Sequence, residues 1–321
     1  MNRMVIWMLA VFVLFSYWTT AYAFDGPLQV RNQFPLFLQA DTPFPDTAAI
    51  EDSIFAGISY SSVYLVKESA DWAIGLDMEI AELSLRVKKA VGNFLEIGLE
   101  LPVLSFDSGF LDSFLNGYHD AFGFPDYGRS SRPDNAFLFD VKRKGIVVIS
   151  GQGGRIGIGD VRLTLKAPLL RGDPAISLRA DLEFPTGDAD AGYGNGSFDT
   201  GLAFLADKRL GEYFMSYLGA GAVSPGKFRG REKIDLRTFL YAGGAVEAAV
   251  TKKLGLIAQV FIQGSPLPET GIPQVDRTAV LLSLGGRYRF GGESLEVSLT
   301  EDPNTSGAPD FTANLSYKKK F

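Results

Sequence analysis

From Ala175 to Phe184 the chain alternates strictly. Ile176, Leu178, Ala180, Leu182 and Phe184 fall on one side of an extended backbone, and Ser177, Arg179, Asp181 and Glu183 on the other. A helix, with its period of 3.6, would scatter that order around its axis, whereas a strand sorts it onto two faces. The pattern recurs at 160–167, where Val161, Leu163, Leu165 and Ala167 oppose Asp160, Arg162, Thr164 and Lys166. It returns at 280–290, with Arg287 and Arg289 on the polar face, and at 294–300, with Glu296 there. A soluble sandwich also alternates, so one such strand decides little. Many long strands whose second face carries ionised residues of both signs point further, to a barrel with its apolar face in lipid and its charges in a lumen.

Connection lengths sharpen this. Strands are predicted near 54–66, 73–90, 94–105, 156–168, 174–185, 197–207, 212–224, 236–250, 254–264, 277–290, 292–300 and 309–321. From the second strand onward short and long joins alternate, as in outer-membrane barrels with short periplasmic turns and long external loops. The expected fold is therefore all-β: a transmembrane, antiparallel, up-and-down barrel of about 12 strands (range 10–14), with a helical insertion in one extracellular loop. The strand at 73–90 changes apolar parity, from Ile74, Leu76, Met78 and Ile80 to Leu83, Leu85 and Val87. A β-bulge near Ala81 or Glu82 is the expected remedy.

The ends of the chain fit export to an outer membrane. Arg3, the apolar run Val5–Phe15 and the small-x-small triplet Ala21-Tyr22-Ala23 read as a signal peptide over 1–23, cut after Ala23. Beyond it no apolar stretch is long enough to span a bilayer as a helix. Phe311, Ala313, Leu315, Tyr317 and Phe321 share one face of the last strand and end on an aromatic, an assembly signal for the barrel-insertion machinery, with Lys319 as the departure. These features predict the outer membrane of a Gram-negative bacterium, with outer-membrane lipid as a partner.

Composition excludes other chemistries. With no cysteine and His119 as the single histidine, neither a thiolate site nor a multi-histidine metal centre can form, and no metal or cofactor is expected. A net charge of −6 gives no electrostatic reason to bind nucleic acid.

Two segments fall outside the wall. Residues 24–52 carry Pro27, Pro35, Pro43 and Pro45, which bar a regular central strand, so an extended arm in the periplasm or the lumen is expected. The loop at 106–155 contains a helical pattern, with Phe110, Leu111, Phe114, Leu115, Tyr118 and Phe122 on one side, Asp112, Ser113, Asn116 and Asp120 opposite, and Gly123 and Pro125 as stops. That pattern suggests a lid or plug, His119 included. A hairpin, 137–141 with 146–149, follows.

Three stretches carry a resemblance: GPLQVRNQFPLFL at 26–38, GFLDSFLNGYHDAFGFPDYGR at 109–129 and LRADLEFPTGDAD at 178–190. They resemble a bacterial family of exported proteins known as a domain of unknown function, over most of the chain after the signal peptide. The PTGD element is also similar to outer-membrane channels associated with phenol or aromatic degradation. The resemblance implies an outer-membrane barrel without an assigned substrate.

The candidate lumen and selectivity residues are Asp160, Arg162, Lys166, Arg179, Asp181, Glu183, Arg287, Arg289 and Glu296. Asp188 and Asp190 are a weaker candidate for a surface calcium site, and the Gly151–Gly154 and Gly192–Gly196 segments read as loop tips. Three functions are expected from the pattern: a passive channel for a small, apolar or aromatic solute; a closed structural or interaction barrel; and a lipid hydrolase built on His119. On a helix His119 and Ser113 stand about 240° apart, so the last needs another serine.

Overall fold

A computed structural model describes residues 24–113, 117 and 132–321. Its strands, in chain order, are β1 (Ser53–Glu68), β2 (Trp72–Val91), β3 (Leu95–Asp107), β4 (Leu138–Arg143), β5 (Ile146–Ser150), β6 (Arg155–Ile158), β7 (Val161–Leu170), β8 (Ala175–Phe184), β9 (Asp199–Arg209), β10 (Phe214–Ser224), β11 (Phe228–Arg229), β12 (Lys233–Ile234), β13 (Phe239–Ala249), β14 (Leu254–Gln263), β15 (Ala279–Phe290), β16 (Glu293–Glu301) and β17 (Phe311–Lys320). Twelve of them close a ring, in the order β1-β2-β3-β7-β8-β9-β10-β13-β14-β15-β16-β17, with β17 pairing back on β1 and every pair antiparallel. Closure leaves no strand edge unpaired, the condition for strands to cross lipid. No described helix is long and apolar enough to span a membrane.

The outer wall shows what it faces. Ile58, Val87, Leu99, Leu202, Phe204, Leu218, Leu240, Val297 and Leu315 are each more than half exposed, and exposed Leu165, Leu256 and Leu284 continue the band on β7, β14 and β15. A continuous apolar girdle of that kind is stable only against acyl chains. Short turns join strands at the end where the termini lie. The tightest uses Gly291 at φ +66°, which a side chain would strain.

Above the girdle the wall is extended by strands that do not close the ring. The 20-residue β2 pairs with β3 through its lower part and with β4 through Trp72–Asp77, and β4 pairs in turn with β5. The short β6 pairs with the top of β3 and is separated from β7 by Gly159-Asp160. The strand expected at 156–168 is thus two: β6 continues the wall above the ring, and β7 belongs to it.

The expected bulge in β2 is absent. Its register to β1 runs unbroken from Lys88 to Ala73, and to β3 from Val91 to Glu79. Parity holds throughout, with Trp72, Ile74, Leu76, Met78, Ile80, Glu82, Ser84 and Arg86 all pointing inward. What changes along β2 is the interior, which is apolar near the outer end and charged below.

Candidate functional site

The interior is filled by one segment. Residues 24–52 enter at the end of the short turns, climb the bore, turn over at Phe34–Ala40, where a short 3-10 turn forms, and descend again. Nearly all of the segment is buried. Its four prolines remove amide donors, so the wall reaches the arm through side chains rather than through another strand.

On the ascending leg, Arg287 donates to the carbonyls of Gly26 and Pro27 at 2.8 and 3.0 Å, and its other contacts go to Glu296 and Glu247. Arg289 reaches Asp25 at 2.9 Å and also meets Glu247. Glu296 accepts from the Gln29 amide at 2.8 Å. Leu28 and Val30 pack against Tyr217, Ala245 and Ile257.

Midway up, Arg31 pairs with Glu82 at 2.6 Å, Glu100 at 2.9 Å and Asp41 of the descending leg. Asp41 also accepts from Arg162, which holds Glu183 at 2.7 Å. The two legs and the wall are therefore tied by one buried network. Isolated charges could not be tolerated there, and each ion's loss of water is offset only because its partners are in place.

Descending, the Phe44 carbonyl accepts from Arg179 at 3.0 Å, and Arg179 also contacts Asp181 and the Tyr241 hydroxyl. The Phe44 ring lies under Arg86 at 4.2 Å, and the same guanidinium sits 3.7 Å from the Phe55 ring centre. This cation–π sandwich explains how Arg86 stays buried with two of its nitrogens lacking a protein partner. Lys166 binds Asp46 and Glu96, both at 3.0 Å. Asp46 also meets Lys88 of β2 at 2.5 Å. At the foot, Glu51 meets Lys318 at 2.6 Å and Asp25 meets Lys320 at 2.6 Å. For Asp25 burial is outweighed by Lys320, Arg287 and Arg289, and the carboxyl is held at about 2.

The apex meets a different environment. Phe34, Leu36, Phe37 and Leu38 pack with Ile74, Leu76, Met78 and Ile80 of β2 and with Phe106, Phe139, Phe261 and Leu281. Phe34 and Phe37 meet edge to face at 5.3 Å. The 302–310 loop closes over them: Gly307 adopts φ +62°, and a Cβ there would sit 2.6 Å from the Phe37 ring. Asn32 donates to the Gly307 carbonyl at 2.6 Å.

Of the nine lumen candidates, Arg162, Lys166, Arg179, Arg287, Arg289 and Glu296 bind the arm itself. Asp181 supports Arg179 from the same strand, and Glu183 supports Arg162 from the neighbouring one. Asp160 instead accepts from the amides of Gly187 and Asn195 and holds an outer loop. Sequence reading missed Arg31, Asp41, Glu82, Glu100, Glu96, Lys88 and Glu247. Glu82, Arg86 and Lys88 alternate with Leu83, Leu85 and Val87, a signal hidden by the change of lining along β2. Glu247 is a lone acid among small residues, and no periodicity singles it out.

The start of the 106–155 loop lies on the outside of the wall. The Phe110 ring stacks on outward-facing Tyr60 at 5.4 Å, and the Phe110 amide donates to outward-facing Glu79 at 2.9 Å. The Leu111 amide donates to the same carboxylate. The chain is helical at Asp112–Ser113, while Phe114, Leu115, Tyr118, His119 and Phe122 lie outside the described residues, as does the signal peptide. Asp188 caps the Ala189–Ala191 turn and Asp190 accepts from the Arg231 amide, so they serve separate contacts. Among the described residues no three acidic or histidine side chains converge as a metal cage. Leu315 and Phe321 are exposed on the outer face, and Lys319 beside them pairs with Glu293 at 3.1 Å.

The barrel is similar to the crystal structure of the COG4313 outer membrane channel from Pseudomonas putida F1, with a TM-score of 0.57 and 16% identity over 88% of this chain and 98% of that one. The NanC porin (TM-score 0.49, 7% identity, 84% and 100% covered) and the CymD monoaromatic hydrocarbon channel (0.42, 14%, 85% and 89%) also match. At these identities the likeness is one of fold. No curated protein matches the sequence. The profile of one family spans residues 3–321, and the chain belongs to that family, described as "Protein of unknown function (DUF3187)".

Proposed function

We propose that this protein is an outer-membrane channel for a small apolar or amphipathic solute, held shut by its own residues 24–52. The observation that carries the reading is the two-part bore. A water-filled porin would be lined by polar groups throughout, whereas here the outer compartment is apolar and is occupied by Phe34, Leu36, Phe37 and Leu38. Those side chains stand where an apolar solute would enter. The charged legs below are a latch, because each ion pair to the arm exchanges for water once the arm moves. A fold shared with an outer membrane channel supports the same reading.

The test is conductance in planar bilayers, comparing the exported full chain with a form lacking 24–52. The full chain is expected to be nearly silent and the deletion to conduct, with a heat-dependent gel shift showing that both are folded barrels. A folded deletion form that carries no current overturns the proposal. It would favour a second reading, a non-transporting structural barrel, for which the dense packing of the arm speaks.

A further inference from the structure

Arm and wall do not meet everywhere. A cavity of about 30 Å³ lies between them. On the wall side Gly219 of β10 and Gly243 of β13 turn no side chain toward it, and on the arm side it is bounded by Pro27, Pro43 and Pro45. The rings of Tyr217, Tyr241 and Phe261 stand around it. Gln259 of β14 also lines it, only 6% exposed, and neither its amide nitrogen nor its amide oxygen has a protein partner.

The polar groups nearby differ in what they can still offer. The Tyr217 hydroxyl donates to Glu247 and accepts from the Gly26 amide, and the Tyr241 hydroxyl accepts from Arg179. The Gln259 carboxamide offers a donor and an acceptor side by side, both unspent. That pair is complementary to another carboxamide, whose acceptor and donor would face it in a ring of two hydrogen bonds. A buried amide left without partners is unfavourable, so the site gains by receiving such a group.

We propose that this cavity is a station for a small solute with a flat apolar body and one carboxamide or lactam group, its amide paired with Gln259 and its body against the three aromatic rings. In the closed state the space admits about two waters, so occupancy requires the three prolines of the arm to draw back. The station rests on the channel reading and deepens it by naming a solute class.

The full-length protein in detergent would be titrated calorimetrically with benzamide, and with toluene as the amide-free counterpart. Benzamide is expected to bind. Gln259→Leu should weaken it at least tenfold while leaving toluene unaffected, and Gly219→Val, which fills the cavity from the wall, should abolish both. Both variants are read only as folded barrels by the gel shift. Failure of benzamide to bind the wild type, or equal binding by the folded Gln259→Leu variant, overturns the station. Conduction by the arm-deleted barrel together with a full-length protein that binds no benzamide would reject the station alone. Gln259-dependent binding in a barrel that never conducts would reject the channel and leave a binding site.

Discussion

The outer and inner halves of the bore are filled by the same arm through opposite physics. In the outer half the apex is held by dispersion and burial around Phe37, which is fully buried. In the inner half the legs are held by Arg31, Arg162, Lys166, Arg179, Arg287 and Arg289, each meeting carboxylates or arm carbonyls. The apolar half fails gradually as contacts are trimmed. The charged half fails when one partner is lost, because the remaining ions are then buried and unpaired. On the proposed channel reading, the arm is a seal whose charged contacts can be replaced by water once one end lifts.

The contrast can be broken most severely at Arg31. Arg31→Met takes the cation from Glu82 and Glu100 and leaves Asp41 with Arg162 alone, and the expected cost to arm seating is about 3–5 kcal/mol. It is read as conductance appearing in bilayers and as protease cleavage within 24–52. An arm that stays protected would show that the charged half is not the latch. Phe37→Ala attacks the other half by opening a cavity, with an expected cost of about 3 kcal/mol. Its signature is faster proteolysis near the apex with little dependence on pH or salt.

Acid separates the halves more gently. Asp25, held at about 2, favours the seated arm fully above the ordinary carboxylate value near 3.8, and that contribution disappears as pH falls through about 2. The foot of the arm should therefore loosen between about pH 4 and pH 2. Asp302, outside the spanning wall, moves oppositely. Burial pushes it up to about 7 despite the amides of Asn304 and Ser306 that it accepts from. Its contribution is complete below the ordinary value and is lost as pH rises through about 7. Protection from hydrogen exchange in the 302–310 loop over Phe37, taken relative to the intrinsic base-catalysed rate, should thus fall on the alkaline side, and protection unchanged between pH 6 and 8 would remove this contrast. The smallest effect belongs to Lys319→Ala, outside both halves, where an exposed pair with Glu293 is lost and the unfolding midpoint should stay in place.

The twelve-stranded wall was legible because period two and charge coincide. At Arg179, Asp181 and Glu183, and again at Arg287 and Arg289, an ion on every second residue can face only water or a lumen partner, so the sequence alone separates inside from outside. It also barred residues 24–52 from the sheet, since proline cannot donate to a ladder. Where the interior is apolar the same logic gives no sign. Ile74, Leu76, Met78 and Ile80 look identical to lipid-facing residues, and the change to Leu83 and Leu85 invites a bulge that does not exist. Only the folded chain decides that, because a leucine cannot tell acyl chains from the Phe37 ring. Nor could spacing reveal that Arg31 closes on Glu82 and Glu100, partners 51 and 69 residues away. Local alternation sets which face a side chain takes; what waits on that face is set by the segment that the closed barrel encloses.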